Sequence, residues 1–203
     1  MIGIIDLGIN NIGSLQNALK NLEVNFETIK SKSNLESFSH LILPGVGSFD
    51  SGVHALEKAD LFDSLKKLDF ENTKILGICL GMQLLCKDSE EGSKKGLGLI
   101  DLNVKNLGNL GCNEKIPHVG FNEVSHCEDD GFFKDLVYKK DFYFIHSYGA
   151  SKRDIKNLKY SSVQYGTINI ISTIKLNNIF ATQFHPEKSG ILGLKILKKF
   201  CTC

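Results

Sequence analysis

The sequence predicts an α/β fold: a mostly parallel central sheet with helices on both faces, plus added antiparallel strands in the second half. Three observations carry that expectation. Up to Leu85, short apolar runs alternate with amphipathic stretches of helical spacing, the rhythm of a parallel sheet covered on both sides. From Val119 onward the apolar runs are short, β-rich and separated by turn residues, as in antiparallel hairpins. The 203 residues, 42% of them hydrophobic, are enough for one domain with a substantial core, and no linker, repeat or low-complexity segment divides them.

In chain order, Ile2 to Asp6 reads as a buried strand. Asn11 to Leu22 reads as a helix with Ile12, Leu15, Ala18, Leu19 and Leu22 on one face. Val24 to Ile29 and Leu41 to Leu43 are further strands. Pro44-Gly45-Val46-Gly47 breaks the chain before Ser48, a suitable N-cap for a helix over Asp50 to Lys58. A second helical stretch, Leu61 to Leu68, leads to an apolar strand, Lys74 to Ile78. Asp88 to Gly98 is a polar, glycine-punctuated loop. Strands are expected at Val119 to Val124, Phe142 to Ile145, Ser161 to Tyr165, Ile168 to Lys175 and Ile179 to Phe184. A helix over Ile191 to Phe200 closes the chain, capped by Ser189, with Ile191, Leu194, Leu197 and Phe200 inward.

The stretch Lys74 to Leu85, KILGICLGMQLL, contains a G-x-C-x-G at the junction of strand and helix. This is the cysteine form of a nucleophile elbow, a sharp turn that lifts a reactive side chain above the sheet. Glycines flank it because a Cβ there would collide with neighbouring backbone. A sulfur at a helix N-terminus feels a partial positive charge that favours thiolate. Taken alone, Cys79 reads as a small buried residue, as most free cysteines are; the glycine frame reverses that balance in favour of a nucleophile. In parallel sheets reactive groups gather at the carboxyl ends of strands, where both Cys79 and the PGVG turn fall.

A formal net charge of +1 gives no field built for nucleic acid. No apolar run reaches the roughly 20 residues that a bilayer requires. MIGIID enters a strand with no basic lead and no cleavage-type segment. The expected setting is therefore the cytoplasm, with no membrane and no nucleic acid as partner. Six cysteines show no C-x-x-C spacing, so free thiols are expected, with no metal and no cofactor. Cys201 and Cys203 sit on the last residues, where order is not expected.

A thiol nucleophile needs a base and a group to aim that base. Of the six histidines, His40, His54 and His126 read as structural or solvated. His185 ends an apolar run and is followed by Pro186-Glu187. In an extended segment residues two apart share a face, which puts Glu187 beside the imidazole. A carboxylate there fixes the tautomer and stabilises the imidazolium. On its own His-Pro-Glu is also an ordinary strand-end turn; beside Cys79 it becomes a candidate triad.

GICLGMQLL, PGVGSF, SEEG and QFHPEKSG resemble the motifs of the class I, triad-type glutamine amidotransferases, and the resemblance covers nearly the whole chain. KIPHVGFNEV, FYFIHSY and the DLGINNIGSLQNAL start are similar to the glutaminase subunits that feed a histidine-pathway cyclase. The resemblance implies a flavodoxin-like fold in one amidotransferase domain over 1–203, and hydrolysis of glutamine to glutamate and ammonia. It implies Cys79 as nucleophile, His185 as acid and base, and Glu187 as its orienter. Leu80 would donate one oxyanion N–H, and Val46 or Gly47 the other. Gln83 and Glu91 would contact the amino-acid end of the substrate, with Ser147 and Tyr148 offering backbone groups. Without the resemblance, Gln83 reads as a helix-surface amide and Glu91 as a solvated loop charge. The implied partner is a synthase (cyclase) subunit that receives the ammonia to make imidazole glycerol phosphate, as a heterodimer. Asn10, Asn11, His118, Phe121 and Lys188 lie in segments that the resemblance places on the partner face.

The pattern is not followed everywhere. Asp6-Leu7-Gly8-Ile9-Asn10-Asn11 lacks the tyrosine and second glycine of D-Y-G-x-G-N, and Pro117-His118-Val119-Gly120-Phe121-Asn122 replaces P-H-M-G-W-N. Three other readings stay open: the same glutaminase serving a different acceptor, a stand-alone cysteine hydrolase, and a silent regulatory subunit.

Overall fold

The computed structural model describes residues 1–9, 12–31, 34–128, 131–151 and 158–203. Its first half runs β1 (Ile2–Ile5), α1 (Gly13–Asn21), β2 (Phe26–Ile29), β3 (His40–Gly45), α2 (Phe49–Lys58), α3 (Phe62–Lys67), β4 (Lys74–Cys79) and α4 (Leu80–Leu85). The second half runs β5 (Cys86–Ser89), β6 (Ile100–Asn106), β7 (His118–Cys127), α5 (Lys134–Val137), β8 (Asp141–His146), β9 (Tyr148–Gly149), β10 (Lys159–Tyr165), β11 (Ile168–Leu176), β12 (Ile179–Thr182) and α6 (Gly190–Thr202).

Nine strands form one sheet in the order β2-β1-β3-β4-β12-β11-β10-β7-β8. The pairings from β2 to β12 are parallel, and those from β12 to β8 are antiparallel. The antiparallel strands therefore continue the parallel sheet, as the chain pattern predicts. A smaller sheet, β5-β6-β9, lies apart. The period of two sorts the buried strand residues between two cores. Ile5, Leu41, Leu43 and Ile75 face α2, α3 and α4 through Val53, Leu56, Leu65 and Leu84. Ile4, Ile42, Leu76 and Ile78 face α1, α5 and α6 through Leu15, Leu19, Val137, Ile196 and Phe200.

Several expectations change. The stretch from Asp88, expected as a loop, contains the end of β5, and β6 is a strand outside those expected from the sequence. Ser48 caps α2 with no backbone bond; its hydroxyl donates to Ser51 Oγ at 2.7 Å. The carboxylate that meets this helix end is remote in sequence: Phe49 N–H donates to Glu91 Oε2 at 2.8 Å. In α6 the inward face is Gly193, Ile196, Leu197 and Phe200, while Ile191 is 74% exposed. The last residues are held, with Lys74 Nζ donating to the Cys203 carbonyl at 2.8 Å. Among the described residues, no helix is long and apolar enough to cross a membrane.

Candidate active site

β4 passes directly into α4 at Cys79, whose backbone is at φ 53° and ψ −108°. That conformation is strained for a residue with a side chain, and a strained turn of this kind is what the elbow geometry demands. The two glycines are explained by contact. A Cβ on Gly81 would lie 1.8 Å from the Leu43 carbonyl oxygen, and one on Gly77 would lie 2.8 Å from the Gly81 carbonyl oxygen. β3 runs parallel beside β4 with Gly45 opposite Cys79, so the turn holding Val46 and Gly47 (φ +104°) borders the sulfur. Leu80 opens α4, so its N–H has no partner within the helix.

His185 is brought alongside by β12, whose Thr182 pairs with Ile78. Its Nδ1 donates to Glu187 Oε1 at 2.7 Å. The expected pair is present, but the expected reason differs: Pro186–Lys188 is a 3-10 turn, not extended chain. The loop is tied to β8. His185 N–H donates to the Tyr143 carbonyl at 2.9 Å. Ser189 Oγ donates to the His185 carbonyl at 2.7 Å and accepts the Tyr143 N–H at 3.0 Å. Burial disfavours the imidazolium, but hydrogen bonding and charge from Cys79 and Glu187 outweigh it and raise the His185 pKa. Nε2 is buried and, apart from this pull of Cys79, has no hydrogen-bond partner among the described residues. An imidazole so placed can take a proton from a nearby thiol.

A cavity of about 340 Å³ is lined by Val46, Gly47, Cys79, Leu80, Gln83, Glu91, Pro117, Ile145, His146, Ser147, Tyr148, His185 and Lys188. Every candidate site residue read from the sequence lies on its wall except Glu187, which is bonded to His185. Gln83 is buried, not a helix-surface amide: its Nε2 donates to the Tyr148 carbonyl at 2.9 Å and to Gln183 Oε1 at 3.2 Å. Glu91 is half-buried, not a solvated charge. Burial raises its pKa and Asp50 adds to this, while the Phe49 N–H opposes them. The carbonyls of Ser147 and Tyr148 are already engaged, the first by Leu107 N–H and the second by Gln83 and His146.

His118, expected on a partner face, is fully buried. Its ring stacks on Phe144 and Tyr165, with centroids 4.8 and 4.0 Å away. Sequence reading also gave no role to His146 or Gln183. His146 Nδ1 must donate to the Tyr148 carbonyl (2.8 Å), so its Nε2 accepts from His118 Nδ1 (3.0 Å). His118 Nε2 in turn accepts from Asn122 Nδ2 (2.6 Å). Both rings are thus neutral, in line with pKa values that burial lowers to about 4 for His118 and about 3 for His146. Phe121 (58%), Val119, Ile145 and Val46 are the exposed apolar residues near the cavity mouth, and Lys188 is exposed beside them. Asn10 and Asn11 lie outside the described residues. Among the described residues no cluster could hold a metal ion.

A family model described as "Glutamine amidotransferase class-I" matches residues 3–202. The chain is 41% identical, over 98% of its length and 97% of the relative's, to imidazole glycerol phosphate synthase subunit hisH of Cyanidium caldarium. It is 38% identical, over the whole of both chains, to subunit HisH of Leptospira borgpetersenii. Among solved structures, PurLQS from Thermotoga maritima superposes with a TM-score of 0.71 at 17% identity, covering 99% of this chain and 97% of that one.

Proposed function

Because this chain belongs to the class I glutamine amidotransferases, we propose that it hydrolyses glutamine through Cys79, His185 and Glu187 and passes the ammonia to a cyclase subunit. Its place is then the glutaminase half of imidazole glycerol phosphate synthase, in histidine biosynthesis. The observation that carries the reading is the strained elbow at Cys79 sharing one cavity wall with His185, itself bonded to Glu187 at 2.7 Å.

In the proposed sequence, the Cys79 proton passes to Nε2 of His185, the buried nitrogen without a partner. The thiolate then attacks the side-chain carbonyl of glutamine. The oxyanion is met by the N–H of Leu80 and a donor from the Val46–Gly47 turn, each worth about 3 kcal/mol of barrier. His185 returns the proton to the leaving ammonia, which departs as the C–N bond breaks and a thioester remains. Water, deprotonated by His185, hydrolyses that thioester to glutamate. Glu187 keeps Nδ1 protonated throughout, so Nε2 is the nitrogen that cycles. Gln83 and Glu91 hold the substrate's amino-acid end, with backbone groups of Ser147 and Tyr148 beside them. Because Gln83 directs its NH₂ at Tyr148 and Gln183, its carbonyl oxygen is the free end, suited to an ammonium or amide N–H.

The chain acts as a single catalytic domain in the cytoplasm, as one half of a heterodimer. The exposed apolar group Val46, Val119, Phe121 and Ile145 with Lys188 at the cavity mouth suits the seat of the cyclase subunit. The test is glutamine hydrolysis by the chain with its cyclase, wild type against Cys79→Ala. Activity should vanish in the variant while the melting temperature holds. A variant that keeps glutaminase turnover refutes the assignment.

A further inference from the structure

The register that pairs Thr182 of β12 with Ile78 of β4 puts the next residue of each strand side by side, Gln183 beside Cys79. Gln183 is fully buried, and its backbone N–H is fixed to the Ser172 carbonyl at 2.8 Å. Its side-chain Nε2 lies 3.7 Å from the sulfur of Cys79.

An amide can present either its oxygen or its NH₂ to a neighbour, and here the direction is forced. The Tyr148 carbonyl can only accept, so the nitrogen of Gln83 must face it. The second N–H of that nitrogen points to Gln183, whose oxygen must therefore be on that side. This leaves the Gln183 NH₂ aimed at the sulfur. The Ile145 carbonyl has the opposite character: 3.8 Å from the sulfur, it accepts from the thiol hydrogen and would repel an anion. Gln183 is a side-chain donor, beside His185, that favours the deprotonated sulfur.

We propose that Gln183 is a further catalytic residue, whose amide N–H contacts the Cys79 sulfur and stabilises its thiolate in a direction set by the Tyr148 carbonyl through Gln83. When the proton leaves for His185 Nε2, the negative charge remains on a sulfur that already has an aligned donor in a buried setting. The inference rests on Cys79 being the nucleophile. It does not depend on which acceptor receives the ammonia.

The test uses the full chain and iodoacetamide, with the rate of alkylation at Cys79 followed by peptide mass spectrometry from pH 5 to 10. Gln183→Met keeps the volume and removes the donor; Gln183→Asn keeps the amide but withdraws it by one carbon, and serves should the Met variant not fold. A long N–H···S contact is a weak example of a hydrogen bond to a charged group, so its loss should raise the alkylation midpoint by about one pH unit. Thermal melting confirms the fold. A folded variant whose midpoint does not move overturns the inference alone, because a purely structural role lowers the melting temperature without moving that midpoint. A wild-type chain in which another cysteine alkylates first overturns both the inference and the nucleophile assignment.

Discussion

Acid is expected to destabilise this protein through His118 and His146. Both rings have each nitrogen committed. A proton on His146 Nε2 would set two N–H groups against each other at the 3.0 Å contact, and one on His118 Nε2 would oppose the Asn122 amide. Burial accordingly holds the folded pKa values at about 4 and about 3, well below the ordinary 6.5. With folded values below unfolded ones, the stabilising contribution is fully present above pH 6.5 and is lost as pH falls toward the folded values. Each ring costs about 1.4 kcal/mol per pH unit in that window, so about 2 kcal/mol between pH 6.5 and 5, and the pair about 4. Against a typical stability of about 5–15 kcal/mol this is a large fraction. The assay is urea unfolding at steps from pH 7 to 5, for wild type and His118→Phe, which keeps a flat ring between Phe144 and Tyr165. The variant should be less stable at pH 7 by about 1 kcal/mol, because His146 Nε2 loses its donor. Its stability should then fall with pH about half as steeply. His40, also lowered first by burial, contributes equally to both proteins and cancels. Equal slopes in the two proteins would refute the reasoning.

Other expectations follow from the site. Glu187→Gln removes the charge beside His185 but not the hydrogen bond, so kcat should fall by about 10–100-fold with KM little changed; full activity would show that the carboxylate is dispensable. Gly81→Ala drives a Cβ onto the Leu43 carbonyl at 1.8 Å, so calorimetry should show a loss of more than about 4 kcal/mol or no folded protein. The isolated chain should hydrolyse glutamine slowly and be activated by about 5–150-fold when the cyclase subunit and its acceptor ligand are added. Equal turnover by the chain alone, with the cyclase, and with the cyclase plus ligand would sink that idea.

The parallel half was readable because its signals are local: apolar runs, helical spacing and a turn framed by Gly77 and Gly81. The elbow was legible for the same reason, since its glycines report a backbone collision within a few residues. Strand β6 was missed although Ile100, Leu102 and Val104 alternate with polar residues; the neighbouring glycine-rich loop masked the period. Ile191 was misplaced because Gly193 and Ile196 set the helix phase, and glycine carries no hydrophobic signal. His185 and Glu187 were paired by an extended-chain argument when a 3-10 turn does the work. His118 looked like a rim residue because its burial depends on Phe144 and Tyr165, which come from other strands. Gln183 and the role of Glu91 at the start of α2 had no local signal, as both depend on chain separated by tens of residues. Register and remote contact are what a single sequence conceals.

The tie between the His185 loop and β8 has a second consequence. β8 is one of the two edge strands of the nine, and an uncovered strand edge offers its backbone as a template to any other extended chain. At Tyr143 both backbone groups are occupied, the carbonyl by His185 N–H and the amide by Ser189 Oγ. The segment that carries the imidazole therefore also blunts that margin against self-association. Substitutions that loosen it, such as Ser189→Ala, will misplace His185 and bare the edge in one event. Loss of turnover and a drift toward aggregates are then two readings of a single local opening.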